Sequence, residues 1–316
     1  VTVSAYMRFF DVSHPAMELV VLANPDHPVA MKTVLAGDDL LRQRHQANLE
    51  DVRRKHPLPD LEGRLDVVPD KLAIAIANEK CEFRPRPVMH TYATHAPWLA
   101  EQNAAYYRSS AGPRFVLFRI NPILERFPTL NDGRLWLEFM RSYQVHENLE
   151  SDLLLRRISV PRRVELAPMA KVVTTWNESV ELPPAVRGPI WCRVRMQQTT
   201  AGGLATFAYK LPPLWLEVSH IDQSHVYRVT ASSAESGFLI SPVLTDRQQL
   251  ADLLANPMSA AAISDFRNAE VKSLKFHTSE ISQQYFYEKD IEISFDEVVV
   301  SGVGPLVSGP IGSAPQ

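Results

Sequence analysis

The chain has 316 residues, of which 45% are hydrophobic and 22% charged, with a formal net charge of −3. That balance excludes an intrinsically disordered chain and supplies no basic field for nucleic acid. The length accommodates two domains of ordinary size. The 24 prolines against 12 glycines suit short, stiff connections and edge strands.

Two cysteines, Cys81 and Cys192, lie far apart and read as buried thiols. No Cys/His cluster has metal-ligand spacing, and there is no G-x-S-x-G elbow, no G-x-G-x-x-G after a strand and no P-loop. No cofactor or metal is therefore expected. No apolar run reaches the roughly 18 residues of a membrane span. The chain begins Val1-Thr2-Val3-Ser4, and Ser308 to Gln316 reads as a flexible tail, which suggests a piece of a longer protein.

In chain order, residues 1–27 form an N-terminal extension with apolar runs at Ala5–Val12 and Met17–Ala23. Their periodicity fits two strands, or a strand and a short helix. Pro28 to His56 has a helical pattern with a solvated, highly charged second half, stopped by Pro57 and Pro59. Gly63–Val68 reads as a buried strand, and Pro69-Asp70 opens a helix through Ala77. Pro87–Tyr92 reads as a second strand. A helix follows from Thr94 or His95 to Tyr107, and then a third strand over Arg114–Ile120. Asp132 suits the N-cap of a helix over Leu135–Tyr143. Gln144–Asn148 and Asp152–Ile158 are two further extended runs. Strands alternating with helices in this way predict a Rossmann-like three-layer α/β domain over 28–160 with a largely parallel sheet.

Beyond a boundary near 159–165 the pattern changes. Short strands are expected at Arg163–Ala167, Pro189–Gln197, Leu204–Tyr209, Leu214–His220 and Ser224–Thr230. Others follow at Gly237–Ser241, Val271–His277 and Ile291–Val300. Gly202-Gly203 reads as a turn, and Thr245–Ala255 as the one long helix. In Trp215-Leu216-Glu217-Val218-Ser219 every second residue is apolar, as in an antiparallel sheet with one face on a core. The prediction for 161–303 is a jelly-roll-like antiparallel β-sandwich, followed by a flexible tail over 304–316.

Several clusters carry chemistry. Arg84, Arg86, His90 and Tyr92, with Asp66 from the neighbouring strand, would gather at the carboxyl end of a parallel sheet, where such sheets bind ligands. They could hold a phosphate or a sugar, or simply pair with acids and cap a strand. Glu125, Arg126, Asn131 and Asp132 follow the third strand. Glu125 or Asp132 with His90 could do acid–base work on a glycan, or Asp132 could cap a helix. His220, Asp222 and His225 fit a polar turn better than a metal site. Trp191, Trp215 and Tyr227, with Tyr209, Tyr285 and Tyr287, lie on sandwich segments. They could stack on sugar rings or fill a core.

The segments Leu65-Asp66-Val67-Val68-Pro69 and Arg84-Pro85-Arg86-Pro87-Val88-Met89-His90-Thr91-Tyr92 resemble a pattern in an uncharacterised family of bacterial polytopic membrane proteins. So do Trp98–Ala104, Pro113–Phe118, Leu153–Arg156, Pro212–Leu216 and Gly237–Leu244. The likeness covers roughly 60–300. In that family Gln-Ser is commoner where His90-Thr91 stand, and Asp-Gly-Arg where Leu124-Glu125-Arg126 stand. The resemblance implies a periplasmic or extracellular region, tethered to the membrane by segments outside this chain. It implies no established activity. The combined expectation is a glycan-binding or accessory module of the cell envelope, preferred over an enzyme. A glycan-modifying hydrolase or transferase and a structural interaction module are the alternatives.

Overall fold

A computed structural model describes residues 38–78, 80–150, 152–185, 188–208, 211–255 and 270–302. The segments 1–27 and 304–316 lie outside the described residues. The chain divides into two units, 1–59 with 76–78, and 60–75 with 79–316. In the first unit, α1 (Asp38–Lys55) carries its charges in water, with Asp51 bridging to Arg54 at 2.5 Å and Lys55 at 2.6 Å. Exposed pairs one turn apart add only a few tenths of a kcal/mol.

The second unit begins with β1 (Gly63–Val68), the start of α2 (Leu72–Ala77, whose last two residues belong to the first unit) and β2 (Cys81–Phe83). A short 3-10 turn (Thr91–Ala93) precedes α3 (Pro97–Arg108) and β3 (Phe115–Phe118). Then come α4 (Arg134–Ser142), β4 (Tyr143–Asn148) and β5 (Leu153–Arg157). These five strands form one sheet in the order β2-β1-β3-β5-β4. β1 pairs in parallel with both β2 and β3, whereas β5 runs antiparallel to β3 and β4. The sheet is therefore mixed rather than largely parallel. The link from β4 to β5 is too short for a crossover, so the pair closes as a hairpin.

Pro87–Tyr92 is not a strand. The N–H and C=O of Val88 are both taken by the side chain of Asn103, at 2.9 and 3.0 Å, which leaves no ladder to join. β2 forms instead from Cys81–Phe83, upstream of the proline pair. Asp132 is not an N-cap either: Gly133 precedes the first helical residue, and no side-chain cap bond forms there.

The remaining strands are β6 (Arg163–Thr175), β7 (Ser179–Glu181), β8 (Ile190–Gln198), β9 (Leu214–Ser219) and β10 (Ser224–Val229). β11 (Phe238–Ser241), β12 (Ser273–His277) and β13 (Tyr287–Ser301) complete them. They form two four-stranded antiparallel sheets, β10-β9-β12-β7 and β11-β8-β13-β6. Among the described residues three α-helices, α5 (Thr200–Ala208), α6 (Ala231–Ser236) and α7 (Arg247–Ala255), and a π-helical turn (Ser282–Phe286) interrupt them. The strand and turn expected around 202–209 are helix over the described part. The Thr199 hydroxyl accepts the Gly202 N–H at 3.0 Å and caps the first turn. Gly202 also touches the Phe286 carbonyl so closely that a Cβ would lie 2.0 Å from it.

Inward residues of both antiparallel sheets share one core, with Leu216, Val218 and Phe276 facing Cys192, Ile293 and Phe295. The second sheet is apolar on its other face as well. Trp191, Leu239, Val298 and Val300 join Val116, Phe118, Leu135 and Phe139 in a second core. Period two splits Ile190-Trp191-Cys192 and Phe238-Leu239-Ile240 between the two cores. The strands β8, β11 and β13 thus carry the packing between the two halves of this unit.

Candidate functional site

In the strand order β2-β1-β3 the chain leaves β1 toward one neighbour and returns on its other side. The crevice at such a reversal, at the carboxyl ends of the strands, is where open α/β sheets bind ligands. Here that end holds a buried polar network. Asp66 in β1, Arg86, Asn103 in α3, Tyr107 in α3 and Asp132 before α4 are all buried or nearly so.

Arg86 organises it. Its Nη1 donates to Asp66 Oδ2 at 2.9 Å and to the Val67 carbonyl at 3.0 Å. Its Nη2 donates to the carbonyls of Pro69 at 3.2 Å and Met89 at 2.5 Å. Tyr107 donates to Asp66 Oδ2 at 2.7 Å, and the Val67 N–H donates to Oδ1 at 2.8 Å. Asp132 Oδ2 accepts from Asn103 at 2.6 Å and lies 3.5 Å from Arg86 Nε. Burial disfavours the charged guanidinium, but the pulls of Asp66, Tyr107 and Asp132 together outweigh it and hold the Arg86 pKa above its ordinary value. Burial and the Asp66 carboxylate hold the Tyr107 phenol well above its own.

Two carboxylates face one guanidinium, so the cluster carries a surplus negative charge. Asp132 bears the cost. Burial pushes its pKa up to about 7, against the opposing pull of Arg86 and Asn103. Its Oδ1 has no hydrogen-bond partner. Asp132 also lines a hollow of about 30 Å³ with Thr91, Asn121, Asn131 and Trp136. That space fits one or two waters, not a sugar ring.

Four further predicted residues lie apart from this hollow's lining. His90 stacks on Tyr92 with centroids 5.3 Å apart, and Tyr92 is exposed. Glu125 is exposed on a turn where it and Leu124 take left-handed backbone, with φ of 58° and 52°. Arg84 is also exposed and pairs with Glu82 at 2.6 Å. The predicted polar cluster thus separates into a buried, paired part (Asp66, Arg86, Asp132) and a surface part (Arg84, Tyr92, Glu125), with His90 between.

The aromatic candidates separate too. Trp191 is 1% exposed and packs on Gly237, so it has no free face for a sugar. Tyr287 is buried, and Tyr227 is half-buried with Phe127 against it edge to face at 5.0 Å. Trp215 is half-buried on the face of its sheet opposite Leu214, Leu216 and Val218. Tyr285 is exposed, and Tyr209 lies outside the described residues. His220 and His225 sit 5.8 Å apart, with His220 Nδ1 3.1 Å from the Glu270 carbonyl oxygen. Among the described residues no group of His, Cys, Asp or Glu could hold a metal, and no helix is long and apolar enough to cross a membrane.

Of the candidate residues named from the sequence, Tyr287 alone lines a second site. A cleft of about 730 Å³ opens at the mouth between the two antiparallel sheets. Its floor is apolar, with Met196, Leu214 and Val229. Gln198, Thr206, Ser232, Arg228 and Glu235 supply polar groups around it. These residues come from β8, α5, β9, β10 and α6, so no local motif announces them. The alternation in β9 was the one available signal, and it marks a face rather than a cleft. The chain matches no family model, no curated protein and no solved structure.

Proposed function

We propose that this chain is a non-catalytic, glycan-binding accessory region of the cell envelope, and that the sandwich-mouth cleft is its binding site. The volume of that cleft carries the reading. Ligand pockets span roughly 300–1,000 Å³ and combine an apolar lining with a few placed polar groups. The cleft, at about 730 Å³, has that size and lining, whereas the hollow beside Asp132, at about 30 Å³, does not. Amide, hydroxyl, carboxylate and guanidinium groups around an apolar floor suit a polyhydroxylated ring. Trp215 lies directly across from Arg228, but on the face of the sheet away from Leu214, and it does not line the cleft.

The jelly-roll character of the sandwich, the Rossmann-like character of the α/β half and the placement outside the cytoplasm on a membrane-tethered chain belong to the same proposal. They rest on strand pattern and on the resemblance. Thermal shift against a panel of envelope oligosaccharides tests the binding, since a ligand of the folded state raises the midpoint by mass action. A shift that disappears in Glu235→Ala, an exposed residue of the cleft lining, with the ligand-free midpoint little changed, is the expected result. No shift with any glycan would remove the reading.

One observation favours a second reading, a glycan-modifying enzyme. Asp132, with a pKa of about 7, is poised for proton transfer. Against it, neither His90 nor Glu125 lines the hollow that Asp132 reaches. Glycan turnover abolished by Asp132→Asn, with the fold intact, would establish that reading.

A further inference from the structure

The loop after β3 crosses to the edge of the β10 sheet and docks there as a single bridge. Arg126 pairs with Arg228 in parallel register. The Arg228 N–H donates to the Glu125 carbonyl at 2.8 Å, and the Phe127 N–H donates to the Arg228 carbonyl at 3.2 Å. On the other side of Arg228, Trp215 is its antiparallel partner, and His277 is the next partner across. Residues directly opposite share a face of the sheet. The register therefore lays Arg126, Arg228, Trp215 and His277 in one row, with Arg228 also at the rim of the cleft.

Two like charges placed directly opposite one another destabilise a sheet. Among the described residues neither guanidinium makes an ion pair with a carboxylate. Arg126 spends Nη1 on the Asn131 side chain at 2.9 Å and on the Tyr92 carbonyl at 3.4 Å, and its buried Nε has no partner. Burial and then the Arg228 charge pull the Arg126 pKa below its ordinary value. The Glu235 carboxylate lines the same cleft and the Glu125 side chain is exposed on the adjoining turn, yet neither pairs with either arginine. A charged pair kept without an internal counter-ion, beside an aromatic ring and at the rim of an open cleft, has the make-up of an anion-binding platform.

We propose that the cleft selects acidic glycans: Arg228 at its rim, backed by Arg126, takes a carboxylate or phosphate carried on the sugar. This rests on the glycan-binding reading above and adds the ligand's charge to it. The shared chemistry is an anionic group on a pyranose ring. Its source, a uronic acid or a sugar phosphate, is separated by the arms of the experiment.

The test is isothermal titration of the whole chain with three probes: an oligogalacturonate, a neutral oligoglucan of the same length, and glucose 1-phosphate. Arg228→Gln and Arg126→Gln are compared with the unaltered chain after thermal melts confirm folding. At least one acidic probe is expected to bind tenfold or more tighter than the neutral one. That preference should weaken with added salt and disappear in Arg228→Gln. Arg126→Gln should reduce it in part. Should Arg126→Gln fail to fold because its loop bonds are lost, Arg228→Gln and the salt dependence still decide. Equal affinity for acidic and neutral chains, unchanged in Arg228→Gln, would overturn the charge selection and leave the glycan-binding reading in place. No binding of any probe would overturn both.

Discussion

Arg86 Nε lies 3.5 Å from Asp132 Oδ2 while the same guanidinium holds Asp66 at 2.9 Å. One buried cation therefore serves two buried acids. Its bonds to Asp66 and to three carbonyls are the well-formed ones, and the contact with Asp132 is the long one. Burial, against the opposing pull of Arg86 and Asn103, raises the Asp132 pKa to about 7.

The sign of the resulting pH dependence is definite. The pKa of Asp132 is about 7 in the fold against 3.8 for an ordinary aspartate. Between those values the native state binds more protons than the unfolded chain. Stability is therefore lost as pH rises from about 4 to about 7, by up to about 4 kcal/mol. Urea midpoints at pH 5 and pH 8 should differ in that direction, and Asp132→Asn should remove most of the difference. A slope retained in the variant would place the titration elsewhere.

Asp66 should matter more than Asp132 for stability. Asp66→Asn removes the principal counter-ion of a fully buried arginine, a loss of about 3–5 kcal/mol. Tyr107→Phe removes one hydrogen bond to the same carboxylate and should cost about 1–3 kcal/mol. Chemical denaturation at pH 8 should rank Asp66→Asn below Tyr107→Phe, and both below Asp132→Asn.

Gly133 and Gly237 meet backbone to backbone. A Cβ on Gly133 would lie 2.0 Å from the Gly237 carbonyl oxygen, and one on Gly237 would lie 2.4 Å from Trp191 Nε1. Gly237 also has φ +90°, which disfavours any side chain. Alanine at either position should destabilise by about 2 kcal/mol or more, with Gly237→Ala the worse. Thermal melts check the order.

Leu124 and Glu125 both take left-handed backbone, with no glycine to ease it. Glu125→Gly should stabilise the chain by about 0.5–1 kcal/mol. A rise in melting temperature without loss of glycan binding is the expected outcome. A loss of binding would give the Glu125 carboxylate a role in the site.

The two tryptophans should part company. Trp191→Ala empties a core position and should cost about 3–5 kcal/mol. Trp215→Ala, on a half-buried face away from the cleft, should cost less than half of that and leave binding in place. Melting curves and titrations on the same samples check both.

The sequence by itself determined much of the local structure. The apolar runs at Leu65–Val68, Phe115–Phe118 and Leu153–Leu155 became strands, because such segments can only be buried. The alternation in Trp215–Ser219 placed one face on a core and one outward, as observed. The chemical density around Asp66, Arg86 and Asp132 was legible too, since charges among apolar strands must be accounted for. Tertiary structure alone decided what those charges do. Whether Arg86 meets a ligand or a carboxylate depends on distances between segments tens of residues apart, and those distances closed the cluster on itself. The same holds for Val88, which a side chain from α3 withdrew from any ladder. Trp191 and Trp215 look alike in sequence, but period two sends one into a core and the other outward once the sheet is flanked on both faces. The Arg126–Arg228 pair has no local signature at all. A bridge between residues 102 positions apart creates it, and sequence periodicity carries no information across that distance.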